Sequence, residues 1–404
     1  MDSVIFAGYP DPLNKTNDAT EYNAVAGGNT WALAAARSQV VSTAGKIKNL
    51  YVELDAAPGT GDDTYTFTLM YDGSPSALTC AIVGTATSAS DTTHEIDVVA
   101  GKLICLRVVS SGSPANTPNA QWSMMFSGTT PNESLILGVA AGGTGTRYYP
   151  ITLGSSSNYA ASEVNIRQII PTAGTIKNLY ADSNAWGGTG TYTVTVNYDS
   201  APTALTCSVA DTSLTGNDTA HSFAVAAGHT VSLTIAITSG SPTSATINFG
   251  MTFVADTDGE GIILGGAPIT QLLDTANTKY NALSTSIGGE AWNATETNEQ
   301  HLGQVCQLKN LYVLIDGSPG GVGKSYDFTV ETNTATASTI TCQLANTTVN
   351  NSDTTHTATL ANLDNISLQC VPTGTPTARR CFWGLVCYIA PVPFKSFYPH
   401  ILAH

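Results

Sequence analysis

Three Asp–His pairs stand at matching places along this chain of 404 residues: Asp91-Thr92-Thr93-His94, Asp218-Thr219-Ala220-His221 and Asp353-Thr354-Thr355-His356. A carboxylate and an imidazole three residues apart offer two potential metal ligands per copy, but a zinc centre needs three or four donors. No second repeated His, Glu or Cys stands beside them, so no metal-binding residue is assigned. The expected role of each Asp is a turn position that accepts nearby backbone amides, with the His opening the next strand.

Cys80, Cys207 and Cys342 also share a position, each directly after Leu-Thr or Ile-Thr. A nucleophilic thiolate needs a basic partner or a helix N-terminus, and neither is visible, so buried core cysteines are expected. The sequence carries no G-x-S-x-G elbow, H-E-x-x-H pair, phosphate-binding G-x-x-x-x-G-K-[ST] loop or EF-hand loop. Apart from the repeated Asp, acidic residues keep no common spacing that would support a two-carboxylate glycosidase. The reading is a protein without catalytic residues or cofactor, hence not an enzyme.

The elements that would position these residues are written three times. Ile47-Lys48-Asn49-Leu50-Tyr51 returns as Ile176-Lys177-Asn178-Leu179-Tyr180 and as Leu308-Lys309-Asn310-Leu311-Tyr312. The interval of about 130 residues exceeds a solenoid period and matches one domain. Tyr65-Thr66-Phe67-Thr68, Leu78-Thr79-Cys80 and Ser111-Gly112-Ser113-Pro114 recur around it in the same order. Short turn-rich linkers put the boundaries at 1–130, 131–259 and 260–391, with a tail over 392–404. Such linkers imply touching units, either a stiff rod or a compact cluster.

Within each copy hydrophobic residues alternate with Thr and Ser, as half-buried strands require. In the first copy strands are expected near 3–8, 33–42, 46–54, 64–71, 76–83, 92–98, 102–110 and 120–127. The fold class is therefore all-β: three tandem antiparallel β-sandwich, jelly-roll-like domains. An immunoglobulin-like sandwich is the nearest competitor and lacks its Cys–Trp–Cys signature here. Lys48, Lys177 and Lys309 read as solvated outward residues or edge guards, or less simply as interface ion pairs. Long segments after the first strand carry Trp31, Tyr159 and Trp292, candidates for interface or glycan contacts. Phe394, Phe397 and Tyr398 in the tail form either a docking segment or a strap over the third domain.

Only 11% of residues are charged and the net charge is −15, which disfavours nucleic acid and anionic membranes as partners. Eight cysteines split as two, one and five among the copies, so no disulfide framework and only reduced, buried thiols are expected. The acidic start Met1-Asp2-Ser3 has no signal-peptide pattern, and no run is apolar enough to span a membrane.

The combined set of Ile-Lys-Asn-Leu-Tyr, Tyr-Thr-Val-Thr, Leu-Thr-Cys, Asp-Thr-Thr-His and Ser-Gly-Ser-Pro resembles jelly-roll repeats in structural proteins of tailed bacteriophage virions. The resemblance spans all three copies and brings no catalytic residues with it. It implies a head-decoration or cement, head-fibre or tail-fibre protein, made in the host cytoplasm and located in the virion. Its partners would be other capsid or tail proteins, and it would be a homo-oligomer, with a trimer favoured. The alternative is a receptor- or carbohydrate-binding adhesin module of a tail fibre. The third copy, with most of the thiols and the tail, would anchor while the first two project.

Overall fold

The computed structural model describes residues 2–9, 11–28, 30–33, 37–153, 159–183, 186–243, 246–266, 270–284, 292–296 and 301–391. The chain is all-β: among the described residues helical structure is confined to a 3-10 turn at Glu163–Asn165 and to Glu296. In the first unit the strands are β1 (Asp2–Tyr9), β2 (Thr20–Asn23), β3 (Gln39–Val40), β4 (Gly45–Leu54), β5 (Thr64–Tyr71), β6 (Ser74–Val83), β7 (Ser88–Val98), β8 (Leu103–Ser111) and β9 (Ala120–Gly128). One sheet runs β1-β9-β4-β7 and the other β2-β8-β5-β6, with the two-residue β3 beside β8. Leaving β3 aside, this interleaving of eight strands into two sheets is the jelly roll. The second and third units repeat both orders.

The expected strand over 33–42 is corrected: among its described residues only Gln39–Val40 is strand, while Ala32 bridges to Tyr22 in β2, a strand the alternation missed. Four residues of mixed polarity, Thr20-Glu21-Tyr22-Asn23, show no period-2 signal, and their pairing to β8 comes from position alone.

Each unit fills its sandwich with the repeated aromatics. Tyr65, Phe67, Trp122 and Phe126 are fully buried in the first, and Tyr326, Phe328 and Trp383 in the third. The Tyr65 hydroxyl donates to the Asn116 carbonyl at 2.8 Å and Tyr326 to Thr377 at 3.1 Å, which tethers the loop after each Ser-Gly-Ser-Pro or Thr-Gly-Thr-Pro turn. Polar tips so bonded make these large side chains compatible with the core.

The three sandwiches close into a ring. Leu137, from the first strand of the second unit, belongs to the buried core of the first unit; Leu264 of the third unit belongs to that of the second; Val4 of the first packs against that of the third. Val4, Leu135 and Ile262 occupy the same register position in their units and line one shared, half-open pocket. This is a pseudo-three-fold axis made by one polypeptide.

Glycine permits the close approach at two junctions. A Cβ on Gly250 would lie 1.9 Å from the Val40 carbonyl oxygen of the first unit, and one on Gly384 would lie 2.2 Å from that of Ile169 in the second. The matching position at the third junction is Ser123. Gly250→Ala and Gly384→Ala are expected to lower unfolding stability by about 1–3 kcal/mol each in urea titrations, whereas Ser123→Ala, on the same strand position, is expected to stay within about 0.5 kcal/mol.

Candidate functional site

The repeated Ile-Lys-Asn-Leu-Tyr stretch builds the unit-to-unit junctions. Ile47 and Leu50 are both fully buried although three residues apart, a violation of strand alternation. A bulge accounts for it: pairing of β4 with β7 jumps from Lys48↔Glu95 to Leu50↔Asp91. Asn49, Asn178 and Asn310 sit there at φ of 55°, 56° and 56°, the left-handed region that Asn tolerates better than most side chains. The motif therefore reads inward, outward, bulge, inward, outward.

The outward lysine is no edge guard, since β4 lies inside its sheet between β9 and β7. Lys177 meets Glu133 at 2.8 Å, Lys309 meets Glu260 at 2.7 Å and Lys48 meets Asp2 at 3.1 Å, each acid coming from the first strand of the same unit. Glu133 and Glu260 are 2% and 3% exposed. Each also accepts a hydroxyl from the preceding unit: Thr43 donates to Glu133 at 2.6 Å, and Thr172 donates to Glu260. Burying a carboxylate is tolerable only with such pairing.

The motif tyrosine reaches the same neighbour. The Tyr180 ring packs on Gly101, in the turn after β7 of the first unit, and the Tyr312 ring packs on Gly228 of the second. Tyr51 closes the circle by accepting from Asn362 of the third unit at 2.9 Å. That last junction differs from the others. Gln304 stands where Thr43 and Thr172 stand, and its amide donates to the Asn49 carbonyl at 3.0 Å.

The Asp–His pairs serve the outer rim. Asp91 accepts the amides of Thr93 and His94 at 3.1 Å each, the His94 ring nitrogen, and across the sandwich the Thr79 amide of β6 at 3.0 Å. Asp218 and Asp353 make the same bonds. As expected the Asp caps backbone amides, but the His lies in mid-strand, inside the bulge, and does not open a strand. Burial would raise the Asp91 carboxyl, yet the Thr79, His94 and Thr93 amides and the His94 ring outweigh it and hold it at about 2. The same balance holds Asp353 at about 2 and lowers Asp218. Among the described residues no group of three or more His, Cys, Asp or Glu side chains is arranged to hold a metal ion.

Cys80, Cys207 and Cys342 are buried, and burial with a nearby Asp pushes each thiol up to about 12, so none carries thiolate at neutral pH. The expectation of thiols only is corrected at one place: Cys306 and Cys387, on neighbouring strands of the third unit, form a disulfide.

The aromatic candidates divide. Trp31 and Trp292 are only 8% and 7% exposed, packed on Trp122 and Trp383 with ring centroids 5.5 and 5.7 Å away, so they are core residues and not stacking platforms. Tyr159 is half-exposed, with the Arg147 guanidinium 3.8 Å over its ring. Phe394, Phe397 and Tyr398 lie outside the described residues. The junction residues that sequence reading missed are Glu133, Glu260, Thr43 and Thr172. An acid at the start of each repeated first strand, in step with each repeated lysine, was the available signal. No protein-family model matches the chain, and no curated protein matches it.

Lys177→Met, which strands a buried carboxylate, is expected to cost about 3–5 kcal/mol by chemical denaturation, and adding Glu133→Leu is expected to recover most of it. In acid, the low Asp values mean that the folded state favours the carboxylates. Their stabilisation is complete above the ordinary value of 3.8 and is lost as pH falls through about 2. Thermal melts should therefore decline from about pH 4 to pH 2, and the decline should flatten in a variant carrying Asp91→Asn, Asp218→Asn and Asp353→Asn.

Proposed function

We propose that this chain is a non-enzymatic structural component of a bacteriophage virion, a capsid decoration, cement or fibre protein acting through interfaces with other capsid or tail proteins. The supporting observation is the closed ring of three jelly rolls around one axis, with cores that exchange first-strand residues from unit to unit. A body with internal three-fold pseudosymmetry suits a position surrounded by three equivalent partner subunits. Its surface has few charges, so its contacts would be neutral and hydrogen-bonded, weakly screened by salt. The adhesin alternative loses two of its aromatic platforms, because Trp31 and Trp292 are buried, while the exposed Tyr159 carries the Arg147 guanidinium over one face of its ring.

The homo-oligomer, a trimer, that the resemblance implies is a separate part of the proposal. Light scattering of the purified chain decides it: a three-chain mass supports the trimer, and a single-chain mass assigns the three-fold arrangement to the internal ring alone. Mass spectrometry and immunogold microscopy of purified particles of the encoding phage are expected to find the chain at fixed copy number on the capsid or tail. Particles that lack it would overturn the virion assignment.

A further inference from the structure

We infer that Cys306 and Cys387 are a built-in covalent lock that replaces, in the third unit alone, a glycine–phenylalanine packing pair of the other two. Register fixes the equivalence. Gly45, Gly174 and Cys306 each pair with the closing apolar residue of the neighbouring strand, Val98, Val225 and Leu360. Phe126, Phe253 and Cys387 pair in turn with Ile47, Ile176 and Leu308.

In the first two units the Phe ring lies over the bare glycine. A Cβ on Gly45 would fall 2.4 Å from the Phe126 ring, and one on Gly174 would fall 2.6 Å from the Phe253 ring. The backbone carbonyl oxygens of Ser127 and Val254 stand 2.5 and 2.4 Å from the same Cβ positions, so a side chain at the glycine needs both a residue smaller than Phe beside it and a small shift of the neighbouring strand. The third unit changes both positions together, and the two sulfurs occupy the space between the central strands. Both cysteines are at least nine-tenths buried, at 4% and 2% exposure.

A pair of unlinked thiols fills less space than a Phe ring, so the dithiol form packs this site worse than its counterparts. The bond compensates by closing a loop over a sequence separation of 81 residues, which restricts the unfolded chain. Its formation is a thiol–disulfide exchange: a glutathione disulfide is cleaved to two thiols while the Cys306–Cys387 bond forms, two electrons and two protons passing from the protein to the glutathione. The chain accordingly exists in an open dithiol form in a reducing medium and a locked form in an oxidising one. Nothing in this depends on the virion assignment.

The test starts from the full chain, refolded with and without a glutathione redox pair, then denatured in an alkylating agent and mapped as peptides. Cys306 linked to Cys387, with the other six cysteines alkylated, is the expected result for the oxidised sample. Eight alkylated cysteines, or a link between Cys370 and Cys381, would overturn the inference. The oxidised form is expected to melt about 5–10 °C above the dithiol form. The double substitution Cys306→Gly with Cys387→Phe is expected to fold, to melt near the oxidised form, and to ignore the redox pair. If that double variant fails to fold or melts no higher than the dithiol form, the two positions are not equivalent to the Gly–Phe pairs and the inference is lost.

Discussion

A buried carboxylate shared between two units is the contact on which the ring depends. Glu133 and Glu260 are removed from water, and each is made tolerable by two donors of different origin: a lysine from its own unit and a threonine hydroxyl from the unit before. Remove either unit and the carboxylate keeps only part of its shell. The pair therefore adds orientation more than affinity, which comes from the apolar residues around it. Leu137 and Leu264 each enter a neighbour's core, and Ile169 packs with Leu314 and Phe382 at the second junction.

The bulge in β4 makes this arrangement possible. Without an Asn in the left-handed region, Lys48 and its counterparts could not face outward while Ile47 and Leu50 both face the core. On the opposite strand the same irregularity leaves Thr92, Thr93 and His94 unpaired with β4, and Asp91 satisfies the amides so released. A further bond, to the Thr79 amide of β6, joins the outermost strands of the two sheets. Two free sheet edges, a standing hazard for edge-to-edge association, are thereby tied to each other. A motif suggestive of metal chemistry is instead a device for finishing a sandwich.

The junction between the third and first units is unlike the two that chain connectivity supports. Asp2 replaces a glutamate and is partly exposed, Gln304 replaces a threonine, and Ser123 replaces a glycine at the tightest approach. The Ser123 hydroxyl is buried without a hydrogen-bond partner among the described residues. The copies have thus diverged most where the ring closes on itself, and in the third unit, which also holds the disulfide.

Sequence alone determined a great deal here, because the triplication compares the chain with itself. Alternation gave the β class and most of the strands, since a half-buried strand imposes its period on composition. Recurrence separated residues with a fixed role, such as Lys48, Asn49 and Asp91, from variable neighbours such as Glu95, Ser222 and Thr357. It gave the amide-capping role of Asp91, but not the partners of Lys48 or the bulge at Asn49. That Trp31 and Trp292 turn inward was decided by the space over Trp122 and Trp383, which no local pattern reports. That Glu133 meets both Lys177 and Thr43, and that Cys306 bonds Cys387, was decided by contacts between residues far apart in the chain. Periodicity encodes which face of a strand is buried; only the closed tertiary structure determines what it is buried against.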